Sequence, residues 1–408
     1  MNSLALVNNK YNLNILIYIP ELKQESGGTR QYALGLLKIL ESDFENNYFI
    51  LHNNDDKEVI RIVKSSKRNN FNIINKKIGK EKKFESILLK ITRVLNFILI
   101  RFQFNYRFKY FSYLNRITKK YNINIVHSPF QFTPYSDVKT ICTLHDVQEL
   151  HFPEYFTPFD RFVRSFNYMD SIDRANHIIV SYKHVKDDLI KYFRINDNKV
   201  SIVLLDFKEF WINQFLNQKN IFKTEIPKNT PKNYFLYPAN TWPHKNHLNL
   251  LSAMANLEFV NINLICTGTK NEYYTDFIIP HISKLHLEKN VHFIGIQDEK
   301  DLYALYKNAE FVIIPTLYEA GSFPLVEAII LECPVVCSNV TSLPETIGDN
   351  RFIFNPTDIN QITHSLKSMI TDENFRNESR LNSIKQRNRI LESECLENIL
   401  KAYKYIND

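Results

Sequence analysis

The sequence predicts an α/β protein made of two doubly wound parallel sheets. Short apolar runs, suited to strands buried on both faces, alternate with longer amphipathic segments, suited to helices, along most of the chain. This order of strands and helices is typical of parallel sheets with helices on both faces. The chain has 408 residues, more than one hydrophobic core usually supports, so we expect two domains with residues 217–232 as a polar linker.

A glycine pair follows the first predicted strand. Residues 11–20 form that strand, and Gly27 and Gly28 separate it from an amphipathic helix. Glycine at this edge of a parallel sheet lets the backbone approach a ligand closely. A plain tight turn uses the same residues, so both interpretations stay open.

Two histidines end strand-like runs further along the first half. His127 follows the run INIV and His145 follows TICTL, where parallel strands bring site residues together. Asp146, next in the chain, could orient His145. A lone histidine is more often structural; we favour a functional role for His145 and leave His127 open.

Two glutamates lie in a predicted strand, turn and helix unit in the second half, one in the turn and one in the helix. Residues 311–315 read as a buried strand closed by proline, and Ser322 could cap the helix that begins near Pro324. Glu319 lies in the loop, and Glu327 lies about two helical turns further on. Free N–H groups at a helix start favour phosphate, whereas carboxylates bind hydroxyls. The combination predicts a ligand with sugar hydroxyls on both sides of a diphosphate, although most glutamate pairs at this spacing are solvated.

The cysteine content and hydropathy exclude several protein classes. The number of cysteines is odd, they lie in apolar runs and they lack metal-ligand spacing, so we expect reduced core thiols, no zinc site and a cytosolic protein. No signal sequence and no apolar run long enough to span a bilayer is found. The five cysteines are Cys142, Cys266, Cys333, Cys337 and Cys395.

The positive charge is concentrated in one region. The net charge is +7, and residues 76–120 contain 13 Lys and Arg against 2 Glu. Residues 84–113 mix these cations with Phe, Ile and Leu, as in a basic amphipathic helix or pair of helices that contacts anionic lipid. A core helix with a solvated basic face is the alternative. Nucleic acid is not expected, because no nucleic-acid module pattern is present.

The residues around Glu319 resemble the retaining glycosyltransferases of family 4. These enzymes have the two-domain GT-B fold, with a central cleft between the domains, and an E-x7-E signature in this strand, turn and helix. Where the family usually reads EGFGLP, residues 319–324 read EAGSFP. The segments PHKN, around Lys245, and SLPE are similar to further family motifs, and TLHD, with FPEYF after it, resembles a mannosyltransferase-like branch.

The resemblance implies an activity and roles for individual residues. Lys245 would contact the donor diphosphate, His145 would lie beside the transferred sugar, Glu319 would bind sugar hydroxyls and Glu327 the nucleoside ribose. Mechanistically, the family implies retention of the anomeric configuration without a metal or another cofactor. Asn240 lies near the place where many members have an arginine. The expected donor-binding residues are Gly27, Gly28, Asn240, Lys245, Gly321, Ser322, Phe323 and Glu327.

The resemblance also implies domain roles and substrates. Residues 1–215 would bind the acceptor, residues 216–388 the nucleotide sugar, and residues 389–408 would cross back to the first domain. The TLHD and PHKNH segments favour GDP-mannose, and the basic region favours a lipid-linked glycan acceptor at the cytosolic face of a membrane. The expected process is the biosynthesis of a cell-surface polysaccharide. Three alternatives stay open: a UDP-sugar-dependent transferase, a sugar-nucleotide epimerase and a noncatalytic nucleotide-sugar-binding protein.

Overall fold

The chain divides into two compact units, which this computed structural model describes over most of their length. One unit is Met1–Asp206 with Glu394–Asp408, and the other is Phe207–Ser393. The second unit begins at Phe207, where residue 216 was predicted, and the returning segment begins at Glu394, where residue 389 was predicted. Most of the predicted linker lies outside the described residues. The described residues are 13–19, 27–52, 57–66, 70–74, 83–109, 112–204, 225–228, 230–257 and 262–407.

The first unit contains a sheet of seven parallel strands, in the order β3-β2-β1-β4-β5-β6-β7. Its strands are β1 (Asn14–Ile19), β2 (Asn47–His52), β3 (Phe71–Ile73), β4 (Ile125–Ser128), β5 (Lys139–Thr143), β6 (His177–Val180) and β7 (Val200–Ile202). Its helices are α1 (Gly27–Leu40), α2 (Lys57–Ser65), α3 (Lys83–Arg101), α4 (Tyr113–Lys120), α5 (Gln148–His151), α6 (Pro158–Arg174) and α7 (Lys183–Phe193).

The second unit contains a sheet of six parallel strands, in the order β10-β9-β8-β11-β12-β13. Its strands are β8 (Tyr234–Pro238), β9 (Asn263–Thr267), β10 (Val291–Gly295), β11 (Val312–Ile314), β12 (Val335–Ser338) and β13 (Ile353–Phe354). Its helices are α8 (His247–Ala255), α9 (Ile279–Lys284), α10 (Glu299–Asn308), α11 (Phe323–Ile330), α12 (Leu343–Ile347), α13 (Ile359–Thr371) and α14 (Glu373–Leu391). The last helix, α15 (Cys395–Asn407), belongs to the first unit.

Both sheets are doubly wound, as predicted, because each reverses its strand order at one point. The reversal lies between β1 and β4 in the first unit and between β8 and β11 in the second. The connections after two such strands diverge to opposite faces of the sheet, which leaves a crevice at their carboxyl ends. The predicted segments with Lys245 and Glu319 follow β8 and β11, so both lie at the reversal point of the second sheet.

The cores consist of strands that are apolar on both faces. Every residue of β8, β11 and β12 is buried, as expected of parallel strands covered by helices. All five cysteines are buried and unbridged, which confirms the prediction of core thiols. Burial raises the pKa of the Cys142 thiol to about 11, so this thiol is uncharged.

Helix α3 buries two polar side chains and exposes several large apolar ones. Thr92 and Asn96 are buried, and the Asn96 side chain exchanges two hydrogen bonds with the backbone of Phe108, at 3.0 and 2.8 Å. The opposite face is exposed and mainly apolar. Its large apolar residues are Phe84, Ile87, Ile91, Val94, Leu95 and Ile98, and exposed Phe102 follows the helix directly. Among the described residues, no helix is both long and apolar enough to cross a bilayer.

Candidate functional site

Lys245 ends a short 3-10 helix that follows strand β8. The next residue, Asn246, has a left-handed backbone (φ 64°), a conformation that asparagine tolerates better than most residues. Its buried side-chain amide donates to the carbonyls of Pro315 and Pro356, each at 2.8 Å. These bonds tie the loop after β8 to the loops after β11 and β13. The Lys245 carbonyl is also held, by the Tyr237 hydroxyl at 2.7 Å.

The loop that carries Glu319 is anchored on two sides. On one side, the Leu317 N–H and the Thr316 hydroxyl donate to the His244 carbonyl, at 2.8 and 3.0 Å. On the other, the Glu319 N–H donates to Thr341 Oγ1 at 3.2 Å and the Ser342 hydroxyl donates to the Glu319 carbonyl at 3.3 Å. Thr341 was not predicted, and Ser342 was noted only as the first residue of the SLPE segment. Their signal is a pair of hydroxyl residues at the end of the loop between β12 and α12.

Lys245 and Glu319 form an ion pair at the reversal point of the sheet. Lys245 Nζ lies 2.5 Å from Glu319 Oε1, and the two side chains are 15% and 12% exposed. Burial, and then the positive charge of Lys245, lower the pKa of His244 to about 3, and the same causes lower that of His247 to about 3. Both histidines are therefore neutral near pH 7, and Lys245 supplies the positive charge of this segment.

Glu327 lies on α11 and is largely buried. Its Oε2 accepts a hydrogen bond of 2.6 Å from the Tyr306 hydroxyl, a partner on α10 that the sequence analysis missed. Burial raises the pKa of Glu327 to about 7, against the opposing effect of this bond. Among the described residues, only Oε2 has a hydrogen-bond partner. The carboxylate therefore keeps one oxygen for a further donor.

Ser322 caps α11, as predicted. Its hydroxyl accepts from the Leu325 N–H at 3.4 Å, and Phe323 and Pro324 form the first helical positions. Gly321 precedes the cap in the loop from Glu319. This places the three predicted loop residues, Gly321 to Phe323, at the helix start between the two glutamates.

Asn240 contacts the neighbouring loop after β9. Its Oδ1 accepts from the Thr269 N–H at 2.8 Å. Gly268, just before Thr269, has φ +100°, and a Cβ at this position would lie 2.8 Å from backbone atoms of Ala239 and Asn240. The close approach of the two loops therefore requires glycine, a residue that sequence reasoning passed over.

His145 lies at the end of β5 in the first unit. Its Nε2 lies 3.0 Å from the carbonyl oxygen of Pro129, and its ring makes an edge contact with Tyr32, with ring centres 4.7 Å apart. A carbonyl only accepts, so Nε2 carries the proton and the neutral ring has its lone pair on Nδ1. Burial lowers the pKa of His145, which favours this neutral form. Nδ1 has no hydrogen-bond partner among the described residues.

Asp146 does not hydrogen-bond the His145 ring. Its Oδ1 accepts from Gln131 Nε2 at 3.0 Å, and Gln131 Oε1 accepts from the Tyr168 hydroxyl at 2.9 Å. The hydrogen bond that orients the His145 ring is therefore made with the Pro129 carbonyl in the loop after β4, whereas the Asp146 carboxylate is bound to Gln131.

His127 is fully buried in the first unit. Its Nδ1 lies 2.7 Å from the hydroxyl of Tyr403 on α15, and its Nε2 lies 3.4 Å from Thr143 Oγ1. Burial lowers its pKa to about 3, so the ring is neutral. Both ring nitrogens are used within the core, which makes His127 a packing residue that holds α15.

Gly27 and Gly28 are the first two residues of α1, not part of the loop before it. The residues between β1 and this helix lie outside the described residues. Among the described residues, no group of three or more His, Cys, Asp or Glu side chains could hold a metal ion.

Comparisons with known proteins agree with this architecture. Residues 78–204 match the family model described as Glycosyltransferase Family 4, and residues 218–386 match Glycosyl transferases group 1. O-antigen chain mannosyltransferase B of Escherichia coli is 26% identical over 71% of this chain and 76% of its own. O-antigen chain mannosyltransferase RfbU of Salmonella typhimurium is 24% identical over 65% and 70%. The crystal structure of Anabaena HepE in complex with UDP has a TM-score of 0.67 at 13% identity, over 96% of this chain and all of that one.

The two doubly wound parallel-sheet units are those of the GT-B fold. One of the two models matches part of the first unit, and the other matches most of the second. The protein belongs to glycosyltransferase family 4 and is similar to its mannosyltransferases.

Proposed function

We propose that this protein is a retaining hexosyltransferase that transfers mannose from GDP-mannose to a lipid-linked glycan during the synthesis of a cell-surface polysaccharide. The observation that carries the proposal is the Lys245–Glu319 pair, held by both loops at the reversal point of the sheet, with Glu327 further along α11. The printed names of the mannosyltransferase relatives support the sugar and the process.

The donor would lie across the crevice between the loops after β8 and β11. Lys245 binds a diphosphate oxygen with one of its three ammonium protons while another stays on Glu319. The starts of α8 and α11, with the amides of Gly321 to Phe323, direct N–H groups at the same anion. Glu319 accepts from sugar hydroxyls and Glu327 from the ribose, so carboxylates lie on both sides of the phosphates.

In the reaction, the bond from sugar C1 to the diphosphate oxygen breaks and a bond from C1 to the acceptor oxygen forms on the same face. The acceptor hydroxyl gives its proton to the departing diphosphate, so no further reactant is required. Lys245 and the helix starts stabilise the negative charge that develops on the leaving group, and no metal ion is assigned to this role. In the first unit, His145 accepts a hydroxyl of the acceptor at Nδ1, which orients the acceptor for the reaction.

Nucleotide binding tests the donor assignment. We expect calorimetry to show GDP binding in preference to UDP for the wild type and weakened binding for Glu327→Ala. Glu288→Ala is the matched control, because this exposed glutamate precedes β10 at the opposite edge of the sheet. Preference for UDP would reassign the donor. Binding of neither nucleotide would contradict the donor site.

Turnover and product stereochemistry test the chemistry. Glu319→Ala and Lys245→Ala should each lower kcat by about a hundredfold or more with the fold intact, because each removes charge that acts on the reacting groups. Lys289→Ala, at the opposite edge of the sheet, serves as the control for Lys245. Retention would appear in the NMR coupling of the new glycosidic bond. Donor binding without turnover would support the noncatalytic alternative, and inverted product would exclude a retaining enzyme.

A membrane-facing surface is the second part of the proposal. The exposed apolar face of α3 adjoins α6, where Phe97 packs on Phe162 and Phe166 with ring centres 6.2 and 4.7 Å apart. Helix α6 adds exposed Phe159 and Phe162. An outward apolar face beside exposed cations suits an anionic lipid interface, where the apolar side chains enter and the cations meet the headgroups.

Some cations of this region form ion pairs within the unit, and others lie exposed on α3. Arg93, Arg107 and Arg116 form ion pairs with Asp170, Asp173 and Glu85 within the unit. Lys90 and Arg101 lie exposed along the apolar face of α3. Charge reversal at Lys90 and Arg101 therefore tests lipid contact without breaking the internal ion pairs.

Sedimentation with phosphatidylcholine vesicles, with and without phosphatidylglycerol, measures this contact. We expect binding that needs the anionic lipid, loss of binding in Ile91→Asp, and weaker binding after reversal of Lys90 and Arg101. Leu381→Asp, an exposed leucine of the second unit, is the control. Equal sedimentation of Ile91→Asp and Leu381→Asp would exclude this surface.

A further inference from the structure

A chain of buried polar groups links the last helix to His145. It starts at Tyr403 of α15, passes through His127 of β4 and Thr143 of β5, and ends at Tyr32 of α1. The successive contacts are 2.7 Å from Tyr403 Oη to His127 Nδ1, 3.4 Å from His127 Nε2 to Thr143 Oγ1, and 3.4 Å from Thr143 Oγ1 to Tyr32 Oη. The Tyr32 ring then contacts His145 at 4.7 Å.

The donor and the acceptor of each hydrogen bond in this chain of polar groups can be assigned. Thr143 donates its single hydroxyl proton to Tyr32, so it accepts from His127 Nε2–H. A neutral His127 with its proton on Nε2 has its lone pair on Nδ1, which accepts from Tyr403. All four side chains are at least nine-tenths buried, so water cannot replace a lost partner without opening the core.

His145 is held on two sides. The Pro129 carbonyl fixes Nε2, and the Tyr32 ring limits rotation of the imidazole from the other direction. Tyr32 is 4% exposed and lies on the helix that begins with Gly27 and Gly28. The chain of buried polar groups therefore connects α1, β4, β5 and α15 with the His145 ring.

We propose that Tyr32 is a positioning residue for His145 and that Tyr403 of the last helix fixes Tyr32 through His127 and Thr143. The proposal rests on the role assigned to His145 above. Catalytic groups must be held to within about half an ångström, and a misplacement of about 1 Å can cost a hundredfold in rate. The last helix thus acts on the site without touching substrate.

Two variants and one control test this proposal. Tyr403→Phe removes only a hydroxyl, and Tyr32→Leu removes the ring that faces His145. The control is Tyr405→Phe on the same helix, whose exposed ring contacts His177 instead. We expect kcat to fall about tenfold or more in the two variants, with the donor KM nearly unchanged, and to stay constant in the control.

The titration of His145, followed by NMR in the full chain, gives a readout that does not depend on turnover. The titratable groups next to this ring are Tyr32 and the Asp146 carboxylate. Tyr32→Leu should move the titration midpoint toward the ordinary value for histidine, and Tyr403→Phe should change the chemical shifts of both His145 and His127.

The proposal would be overturned if Tyr403→Phe and Tyr32→Leu lowered the melting temperature but left kcat and the His145 signals as they are in Tyr405→Phe. The chain of buried polar groups would then be merely structural. If Tyr32→Leu does not fold, Tyr403→Phe alone decides. Unchanged activity in His145→Ala would instead contradict the proposed role of His145, while changed His145 signals in Tyr403→Phe would still support the positioning.

Discussion

At the scale of single residues, the burial of Glu327 makes its charge sensitive to pH. Its pKa rises from 4.5 to about 7 on folding because the carboxylate loses water and gains only the Tyr306 hydroxyl. The folded state therefore holds this proton more tightly than the unfolded state. Its contribution to the free energy of unfolding is fully present below about pH 4.5 and is lost as the pH rises through about 7.

Glu327→Gln should remove this pH dependence. The glutamine cannot ionise, so we expect the variant to gain stability relative to the wild type between pH 5 and pH 8, by up to about 3 kcal/mol. Urea unfolding at the two pH values measures the difference. Glu288→Gln, at an exposed site, should show no such gain, and equal behaviour of the two variants would contradict the raised pKa.

Nucleotide binding should also depend on the ionisation of Glu327, but the affinity should rise with pH whereas the stability contribution falls. Ribose hydroxyls donate to a carboxylate, and the charged acceptor makes the stronger bond. We expect the affinity for GDP to rise between pH 6 and pH 8 and to lose most of this dependence in Glu327→Gln. Calorimetry over this range measures it. A pH dependence that is unchanged in Glu327→Gln would place the ionising group elsewhere.

At the scale of elements, Gly268 controls how closely the loops after β8 and β9 approach. Gly268→Ala adds a Cβ 2.8 Å from the backbone of Ala239 and Asn240 at φ +100°. Gly295→Ala is the matched control, because Gly295 also has positive φ (+79°) but nothing lies within 4 Å of a Cβ there. Only the first substitution therefore combines strain with a clash.

We expect Gly295→Ala to cost about 1–2 kcal/mol of stability, the usual cost of left-handed backbone, and Gly268→Ala to cost more. Gly268→Ala should also weaken GDP binding, because it displaces the loop that leads to Lys245. Denaturant unfolding and calorimetry measure the two effects. Equal losses of stability in both variants would show that the two loops can move apart at no cost in free energy.

The periodicity of α3 predicted an amphipathic helix but not the direction of its faces. Apolar residues recur every three or four positions, which fits either a core-facing stripe or a surface. The distinction depends on Asn96 and its two bonds to Phe108, a local contact that no hydropathy pattern contains. In contrast, the cap at Ser322 was predictable, because capping depends on neighbours in the sequence.

At the scale of the whole molecule, the order of strands in the sheets brings together residues that are distant in sequence. Lys245 and Glu319 were predicted separately from two motifs, and the parallel order explains why they meet: β8 and β11 are neighbours. Their supports, Thr341 and Ser342, follow a third strand. No role was predicted for these two residues, because a hydroxyl at the end of a loop can make many different hydrogen bonds. Only the fold shows that they bind the backbone of Glu319.

His127 shows the same limit at greater distance. A histidine at a strand end is compatible with a site or with a core, and its partner Tyr403 lies 276 residues further along the chain. The apolar spacing of α15 predicts a buried face, with Ile399, Tyr403 and Ile406 among its buried residues. What covers that face depends on which unit the helix joins, and this follows from chain topology.

Removal of residues 394–408 should therefore destabilise the first unit selectively. The deletion exposes the apolar surface that α15 covers and leaves His127 Nδ1 without its donor, a loss of about 1–3 kcal/mol for the unpaired nitrogen alone. Hydrogen exchange measured by mass spectrometry should show faster exchange in β4 and β5 and unchanged exchange in β8 and β11. Removal of the last two residues alone should change neither set. Equal loss of protection in both units would contradict a selective effect of α15 on the first unit.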